Sequence, residues 1–537
     1  MRIGIDFDNT IVRYDHVFAM ESQKSGLMPV GWTGTKQELR DELRTRPEGE
    51  KLWQTLQGRV YGPLMSEAEM FPGVASFLMR IRNRGGELFI VSHKTEYGHF
   101  DSTRTDLRRA ALNWMESQGL FNPNRYRLNK DQVYFTSTRK EKVRQIADLN
   151  CDAFIDDLEE VFTEEHFPAI KRILFNSSAK RNHHDYHCRN WTEIAELVLG
   201  KLTASEYKEL VESFFPEKLV GVHPLQGRGN SRVFRIETEF GKTYALKAYP
   251  DLLLDPRPRL QTEVKTSRFL RSLNLTSFVE AYDVDLNLAL FEWIEGKSPR
   301  LIDSVLIEQA LGFIKKLKEQ SGESYHEFFQ ASEACLLLNE LESQIEKRFD
   351  KLVEIENLDL QKFLISTAMP LWSKIRRFSR SMWPASTREK ELPRLLQTLS
   401  PSDFGFHNSI QKKDGSLCFI DMEYFGWDDP VKLIADFIWH PGMELKDVHK
   451  KKWVEEALKI FSKDSEIKSR FQAAWPLYGM RWILIILNEF REDGWKKRRI
   501  ATLVHKLDRE KILKLQLQKA MNLCYYLENK NLLSPYV

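Results

Sequence analysis

The feature that most constrains the fold lies at the start of the chain, where a short apolar run ends in two acids. Residues 3–5 are apolar, and Asp6 and Asp8 follow with only Phe7 between them. Alternate residues of a strand share one face, so a strand here places both carboxylates together at its carboxyl end, where open α/β sheets carry their chemistry. Carboxylates this close oppose each other's ionisation unless a cation lies between them. The alternative interpretation is a polar strand end that leads into a turn.

Further apolar runs alternate with helical patterns downstream. The predicted strands cover residues 88–91, 133–135 and 153–155. Such alternation predicts a parallel sheet with right-handed crossovers. One of these strands ends at Ser92 and another at Asp156 and Asp157. At the carboxyl edge of one sheet, these groups are expected to converge with Asp6 on one Mg²⁺ ion and one phosphate.

Length and composition limit the remaining possibilities. A chain of 537 residues is too long for a single core, so we expect at least two domains. The net charge of +3 is close to neutral and gives no reason to expect nucleic acid or a membrane surface as a partner. Five scattered cysteines do not form a disulfide framework, which favours a reducing, cytoplasmic location. No apolar run reaches the roughly 18 residues that span a bilayer.

The polar residues of the first part of the chain match a known pattern. The order Asp6-x-Asp8-x-Thr10, Ser92, a lysine, and then Asp156-Asp157 resembles the haloacid dehalogenase-like (HAD) phosphohydrolases over about the first 200 residues. The resemblance implies an α/β Rossmann-like domain. It also implies that Asp6 is the nucleophile that forms an aspartyl-phosphate, and that Asp8 is the general acid for the leaving group and then the base for water.

The same resemblance assigns the remaining groups of this site. It implies phosphate contacts from Thr10, Ser92 and a lysine, and metal contacts from Asp6, Asp8, Asp156 and Asp157. Lys140 and Lys142 both suit the lysine position. We favour Lys140 because Val143 and Ile146 follow it at helical spacing, and Lys142 is the alternative.

Two other stretches of this part have open interpretations. Residues 13–69 form an insertion after the first strand, which is either a cap over the site or a packing extension. Residues His183 to Cys188 contain three histidines and a cysteine, a set that can bind Zn²⁺. The alternative for this second stretch is a surface loop at the rim of the site.

Beyond about residue 200 the pattern changes to antiparallel strands. Gly227 and Gly229 precede an alternating strand, as in a flap whose backbone amides approach phosphates, or in a simple turn. Lys247 lies among apolar neighbours, and a buried lysine needs an acid or a phosphate; Glu263 is the candidate acid. The backbone at Glu292 and Ile294, where a later strand ends, is the candidate contact for a nucleotide base.

A second constellation follows at Asp403. Asn408 lies five residues after this acid, and Asp421 closes the next apolar strand. This spacing matches the phosphoryl-transfer arrangement of a base for the incoming hydroxyl, followed by an amide and a carboxylate for Mg²⁺. The alternative is a polar hairpin.

These residues resemble the aminoglycoside phosphotransferase and choline kinase-like family, within the α+β protein-kinase-like bilobal fold, over about residues 210–445. The resemblance implies that Asp403 is the catalytic base and that Asn408 and Asp421 bind metal. It also implies an ion pair of Lys247 and Glu263 at the nucleotide phosphates. The chain departs from the family at Pro401, where a histidine usually stands two residues before the catalytic acid.

We therefore predict a bifunctional enzyme with Mg²⁺ and ATP or GTP as cofactors. Residues 1–200 are the predicted phosphatase, with 13–69 as a cap. Residues 201–537 are the predicted small-molecule kinase, with an N-lobe at about 210–295 and a C-lobe at about 296–537. The expected substrate is a phosphorylated metabolite, and fold analogy suggests a sugar or amino alcohol of surface-polysaccharide metabolism.

Two alternatives to this prediction remain open. In the first, one domain is active and the other is a ligand-binding regulatory module. In the second, the chain is a nucleic-acid end-processing phosphatase and kinase. The near-neutral charge and the lack of a Gly-x-x-x-x-Gly-Lys-Ser/Thr loop in the sequence speak against the second alternative.

Overall fold

The protein is described by a computed structural model that forms two compact units. The described residues are 1–100, 103–175, 186–225, 231–273, 276–322, 328–495, 508–529 and 532–537. The first unit comprises Met1–Val222 with Asp251–Pro256, and the second comprises His223–Pro250 with Arg257–Val537. Gly227 and Gly229 and the first half of the His183 to Cys188 stretch lie outside the described residues.

The first unit continues past the predicted junction at residue 200. Helix Ala204–Glu212 belongs to it. Glu206 of this helix accepts hydrogen bonds from Arg80 Nε at 2.9 Å and from Arg84 Nη2 at 2.8 Å. Because both arginines lie on or next to helix Val74–Asn83, these ion pairs attach the later helix to the first unit.

The first unit contains a parallel sheet, as the alternation of strands and helices predicted. The strands of this unit are β1 (Arg2–Ile5), β2 (Val12–Arg13), β3 (Glu69–Met70), β4 (Glu87–His93), β5 (Val133–Thr136), β6 (Ala153–Asp156), β7 (Lys171–Phe175) and β8 (Tyr186–Cys188). Its helices are α1 (Asp15–Lys24), α2 (Lys36–Arg44), α3 (Gly49–Tyr61), α4 (Val74–Asn83), α5 (Leu107–Ser117), α6 (Arg139–Asp148), α7 (Glu159–Phe162), α8 (Trp191–Leu199) and α9 (Ala204–Glu212). Within the described residues, the sheet order is β5-β4-β1-β6-β7-β8.

Strand β1 lies in the middle of this sheet, between β4 and β6. Ile5 pairs with Ile90 of β4 and with Ile155 of β6. The residue after β1, Asp6, donates its backbone N–H to the carbonyl of Ile155 at 2.8 Å. The parallel register therefore brings Asp6 and Asp156 to the same edge of the sheet, above a core that includes the buried Phe154.

The insertion after β1 is a small helical layer. The antiparallel pair β2 and β3 closes it, with Val12 opposite Met70. Helices α1 and α3 pack through aromatic residues, and the rings of Phe18 and Trp53 stack with centroids 5.1 Å apart. Aromatic pairs of this kind stabilise a small core beyond the area they bury.

The second unit combines an antiparallel sheet with a helical part. Its strands are β10 (Arg232–Thr238), β11 (Thr243–Ala248), β12 (Val279–Asp283), β13 (Leu288–Glu292), β14 (Thr398–Ser400), β15 (Ser409–Gln411), β16 (Leu417–Phe419) and β17 (Gly426–Asp428), and the division between the units falls within β9 (Leu219–Pro224). The order β12-β13-β11-β10 places Lys247 on an inner strand, opposite Val233 and Ala289.

Helices form the rest of the second unit. They are α10 (Arg259–Leu270), α11 (Ser304–Ser321), α12 (Leu338–Val353), α13 (Leu358–Phe363), α14 (Met369–Met382), α15 (Pro430–Trp439), α16 (Asp447–Ile460), α17 (Ile467–Ile486) and α18 (Arg509–Asn529), and a π-helical turn, Leu364–Ala368, joins α13 to α14. Helix α10 packs on the sheet through Leu260 and Val264. None of the described helices has the length and apolar character that a membrane crossing requires.

Two candidate active sites

Three carboxylates meet at the carboxyl edge of the parallel sheet. Oxygen atoms of Asp6, Asp156 and Asp157 lie within 4.8 Å of one another. Asp6 and Asp156 are buried, and Asp157 accepts a hydrogen bond from Thr10 Oγ1 at 3.3 Å. Carboxylate oxygens are the ligands that Mg²⁺ prefers, so the donor set suits the ion that the sequence predicted.

A single lysine bridges two of these acids. Lys142 Nζ donates to Asp6 Oδ1 at 2.5 Å and to Asp156 Oδ2 at 2.6 Å. Lys140, which we favoured from the sequence, is exposed. The buried face of α6 consists of Lys142, Val143 and Ile146, and Lys142 lies about one turn before Ile146. The rotation of α6 about its axis therefore selects Lys142, not Lys140.

The electrostatics of this cluster favour a bound cation. Burial, together with the carboxylates of Asp156 and Asp8, raises the pKa of Asp6 to about 7 against the opposing effect of Lys142. Burial and the carboxylate of Asp156 hold the pKa of Asp157 well above its ordinary value. Lys142 alone therefore does not offset the burial and mutual repulsion of these acids, and a divalent cation would stabilise their ionised forms.

Asp8 lies between two donors that the sequence analysis missed. Lys94 Nζ donates to both carboxylate oxygens of Asp8, at 2.8 and 2.7 Å, and the Tyr14 hydroxyl donates to Oδ1 at 2.5 Å. Lys94 follows Ser92 by two residues just past the end of β4, which is the signal that could have revealed it. Ser92 itself is buried at this strand end.

The stretch from His183 to Cys188 is described only at its end. Tyr186–Cys188 form β8, which pairs with β7 at the side of the sheet away from β1. Burial raises the pKa of the Cys188 thiol to about 11. The zinc interpretation of this stretch stays a prediction.

In the second unit, Lys247 binds the acid that the sequence predicted and two more. Its Nζ donates to Glu263 Oε2 at 2.6 Å, lies 3.0 Å from Glu423 Oε2, and also contacts Asp421. Glu423 in turn accepts a hydrogen bond from Arg259 Nη1 at 2.6 Å. Glu423 is a buried member of this site to which the sequence analysis gave no role, although it follows Asp421 by two residues.

These acids again form a set that can hold a divalent ion. Oxygen atoms of Glu263, Asp421 and Glu423 lie within 4.8 Å of one another. Burial raises the pKa of Asp421 to about 7, an effect that Lys247 opposes and Glu423 reinforces. Burial acts in the same direction on Glu423, but Lys247 and Arg259 outweigh it and lower the pKa of this carboxyl. The side chain of Asp421 is 31% exposed, so this acid faces the open side of the cluster.

A short hairpin brings Asn408 next to Asp421. Asn408 directly precedes β15, and Asp421 is the second residue after β16. The backbone N–H of Ile420 donates to the carbonyl of Asn408 at 2.9 Å. The side-chain amide of Asn408 donates to the backbone carbonyl of Asp403 at 3.1 Å and to its Oδ2 at 3.3 Å. Because the NH₂ group points at Asp403, the amide oxygen of Asn408 is the atom left for a cation.

Two histidines contact Asp403, and neither was assigned from the sequence. His407 Nε2 lies 3.0 Å from Asp403 Oδ1, and His440 Nε2 lies 3.8 Å from the same atom. Burial alone raises the pKa of Asp403, but the hydrogen bond and charge of His407 outweigh it and lower that pKa to about 2. The side chain is 36% exposed, so solvent weakens this electrostatic effect. Burial and the charge of His407 lower the pKa of His440 to about 4.

Backbone strain occurs beside both key acids of the second unit. Ser402, which precedes Asp403, and Asp421 both have a φ of 66°. The left-handed region costs a residue other than glycine about 1–3 kcal/mol, and such strain persists where surrounding contacts enforce it. Lys432 Nζ provides one of these contacts, because it donates to Ser402 Oγ at 2.9 Å.

The predicted contact with a nucleotide base at the end of β13 stays a prediction. The backbone N–H of Glu292 donates to the carbonyl of Phe278 at 2.8 Å, and its carbonyl accepts from Ser277 Oγ at 2.8 Å. The backbone N–H of Glu292 is therefore already hydrogen-bonded within the protein. The second lone pair of its carbonyl oxygen is the backbone acceptor left for a nucleotide. Ile294 lies two residues further on and is 9% exposed.

Comparison with known proteins found similarity only among solved structures. No protein-family model matches the chain, and no curated protein matches it. A choline kinase, LicA from Streptococcus pneumoniae, is 16% identical, covering 60% of this chain and 98% of its own, with a TM-score of 0.38. An ethanolamine kinase of Plasmodium vivax is 14% identical, covering 62% of this chain and 87% of its own, with a TM-score of 0.37.

A third similar structure is a spectinomycin phosphotransferase, APH(9)-Ia. It is 11% identical and covers 61% of this chain and 99% of its own, with a TM-score of 0.41. At these identities and TM-scores, none of the three likenesses carries an inference about chemistry. The functional argument therefore depends on the geometry of the two sites.

Proposed function

We propose that the chain is a bifunctional phosphoryl-transfer enzyme, with a phosphatase in the first unit and a nucleotide-dependent small-molecule kinase in the second. The observation that carries the proposal is that each unit gathers carboxylates around a buried lysine. These are Asp6, Asp156 and Asp157 around Lys142 in the first unit, and Glu263, Asp421 and Glu423 around Lys247 in the second. Transfer of a phosphoryl group requires positive charge at its oxygens and a nearby nucleophile or base.

In the phosphatase, Asp6 is the nucleophile. One oxygen of its carboxylate bonds to phosphorus as the ester oxygen leaves, which gives an aspartyl-phosphate. Asp6, Asp156 and Asp157 would hold Mg²⁺, which neutralises phosphoryl oxygens when bound. Lys142 keeps the carboxylate of Asp6 oriented through its 2.5 Å hydrogen bond.

In the phosphatase, Asp8 acts as the general acid and then as the general base. This residue is held by Lys94 and the Tyr14 hydroxyl, which fix its carboxylate beside the sheet edge. Asp8 enters the reaction protonated and passes this proton to the leaving oxygen; as a carboxylate it then takes a proton from the water that attacks phosphorus and releases Asp6. The two halves of the reaction therefore use the same carboxyl group in opposite directions.

In the kinase, Asp403 accepts the proton of the acceptor alcohol as that oxygen bonds to the γ-phosphorus, and the bond from the γ-phosphorus to the bridging oxygen breaks to release the nucleoside diphosphate. Asn408 and Asp421 would hold the divalent ion that neutralises nucleotide phosphates when bound. Lys247, on the inner strand β11, is placed to exchange its contact with Asp421 for a phosphate oxygen while it keeps Glu263. The acceptor is an alcohol, and amino alcohols and sugars are the first classes to assay.

Separate inactivation of the two sites tests this proposal. Asp6→Asn is expected to abolish Mg²⁺-dependent hydrolysis of an aryl phosphate and to leave nucleotide-dependent phosphorylation of an alcohol intact. Asp403→Asn is expected to do the reverse. If either variant removes both activities, or neither variant lowers its own, two independent sites do not exist. If only one unit is active, the bifunctional proposal is wrong, and the inactive unit is better explained as a ligand-binding regulatory module.

A further inference from the structure

The insertion of the first unit carries a lysine whose charge has no acid partner in contact. Lys36 is the first residue of α2, and its backbone N–H donates to Asp15 Oδ1 at 2.9 Å. Its ammonium group lies 5.5 Å from the ring centre of Tyr61 and 5.8 Å from that of Phe18. Within the described residues, no carboxylate comes within 4.0 Å of Lys36 Nζ.

The ring of Tyr61 connects this lysine to the candidate phosphatase site. Lys94 Nζ, which binds Asp8, lies 4.9 Å from the centre of the same ring. The ring of Tyr14, whose hydroxyl also binds Asp8, lies 4.8 Å from that of Tyr61. The two ammonium groups around Tyr61 are therefore no more than about 10 Å apart.

The other cations of this site are already matched by acids. Lys142 is paired with Asp6 and Asp156, and Lys94 is paired with Asp8. Burial lowers the pKa of Lys36, but the Tyr61 hydroxyl and the carboxylates of Asp157 and Asp8 outweigh burial and raise it. Lys36 is thus a charged group, partly withdrawn from water, that lies beside the Tyr61 hydroxyl and two aromatic rings and has no carboxylate of the described residues in contact.

We propose that Lys36 binds a second anionic group of the substrate, on the leaving-group side of the phosphate ester. This inference depends on the proposed phosphatase function. No carboxylate in the described part of the chain contacts this partly buried ammonium group, so a ligand carboxylate or phosphate can accept a charged hydrogen bond from it. Because Lys36 lies about 10 Å or less from Lys94, which holds Asp8, the two anionic groups belong to one small molecule. The substrate class is a small phosphate ester with a carboxylate or a second phosphate.

Binding of unreactive analogues by the full chain with Mg²⁺ tests the site apart from turnover. Methylphosphonate carries one anionic group, phosphonoacetate adds a carboxylate, and methylenebisphosphonate adds a second phosphonate. Calorimetry is expected to show about tenfold or tighter binding of at least one doubly anionic compound than of methylphosphonate, as for a charged hydrogen bond. The compound with the larger gain identifies the second group.

The variants Lys36→Met and Lys36→Arg connect that preference to Lys36. Lys36→Met is expected to remove the preference, and Lys36→Arg to retain part of it. Lys51→Met is the control, because Lys51 lies in the same insertion but is 55% exposed and pairs with Glu48. Thermal unfolding curves verify that the variants fold. The inference is wrong if wild type shows no preference, or if Lys36→Met weakens all three compounds equally.

Turnover separates this inference from the proposed function. Wild type is expected to hydrolyse a doubly anionic ester with a higher kcat/KM than an aryl phosphate, and Lys36→Met to lose more on the first than on the second, mainly through KM. If binding shows the preference but no ester is hydrolysed, the second-anion site stands and the phosphatase proposal fails. If esters are hydrolysed without preference, the phosphatase stands and the role of Lys36 is wrong.

Discussion

The imidazole rings of His407 and His440 stack in parallel, with centroids 3.7 Å apart and an interplanar angle of 7°. Both present Nε2 to Oδ1 of Asp403. The backbone N–H of Gly442 donates to His440 Nδ1 at 3.1 Å, so the proton of neutral His440 is on Nε2 and points at Asp403. Lone pairs in parallel planes do not converge on one metal ion. The pair is therefore suited to orient Asp403.

His407→Ala is expected to lower kcat of the kinase reaction by about tenfold or more, because Asp403 loses the hydrogen bond that fixes its carboxylate. KM for the nucleotide should change little, since His407 contacts the proposed catalytic base, Asp403, and not the residues expected to hold the nucleotide phosphates. His407→Gln, which can still donate, should recover part of kcat. His223→Ala is a suitable control, because this histidine is 60% exposed. Full activity in His407→Ala would show that Asp403 needs no such partner.

The two lysines of α6 make a matched pair of variants. Lys142→Met is expected to lower aryl phosphate hydrolysis by about 10²–10³-fold, the usual effect of removing one charged donor at a reacting oxygen. Lys140→Met should stay within about twofold of wild type, because Lys140 is exposed. Steady-state hydrolysis with Mg²⁺ measures both. A larger loss in Lys140→Met than in Lys142→Met would contradict the placement of α6.

The ion pairs of Glu206 are expected to make the stability of the first unit depend on pH. Burial opposes ionisation, but hydrogen bonds and charges from Arg80, with help from Thr203 and Arg84, lower its pKa from 4.5 to about 2. A depressed pKa in the folded state stabilises the fold above pH 4.5, and this contribution disappears as the pH falls toward 2. Glu206→Gln should therefore cost about 2 kcal/mol at pH 7 and much less near pH 2–3.

Thermal unfolding of Glu206→Gln at several pH values, followed by a signal from the first unit, measures this difference. Glu209→Gln is the control, because Glu209 lies on the same helix and is exposed. A destabilisation of Glu206→Gln that is as large at pH 3 as at pH 7 would refute the electrostatic account.

Glu423 is expected to affect both the stability of the second unit and the binding of nucleotide. It accepts contacts from both Lys247 and Arg259, and its side chain is 4% exposed. Glu423→Gln should destabilise the second unit by about 3 kcal/mol, because two buried cations lose their shared carboxylate. It should also raise the KM for the nucleotide, since Lys247 is then held less firmly. Glu263→Gln provides the comparison, and unfolding curves with nucleotide titrations give both quantities. An unchanged melting temperature in Glu423→Gln would be contrary to this prediction.

Several features of both sites could be read from the sequence because they depend on local geometry. Strand alternation and the register of a parallel sheet bring Asp6 and Asp156 to one edge. The separation of Asp403 and Asn408 is set within one short loop, and a hairpin of β15 and β16 suffices to bring in Asp421. The pair Lys247 and Glu263 was predictable because a lysine on an inner strand requires an acid. The chemical roles of these residues stay predictions.

Tertiary packing decided the rest. The rotation of α6 about its axis selected Lys142 instead of Lys140, and no periodicity fixes such a rotation against a sheet. The folding of the insertion brought Tyr14 to Asp8, and the end of α15 brought His440 to Asp403. Sequence alone thus determined which backbone positions carry the acids, because strand order and loop length are local properties. The partners of those acids come from elements distant along the chain, whose side chains meet only when the cores pack.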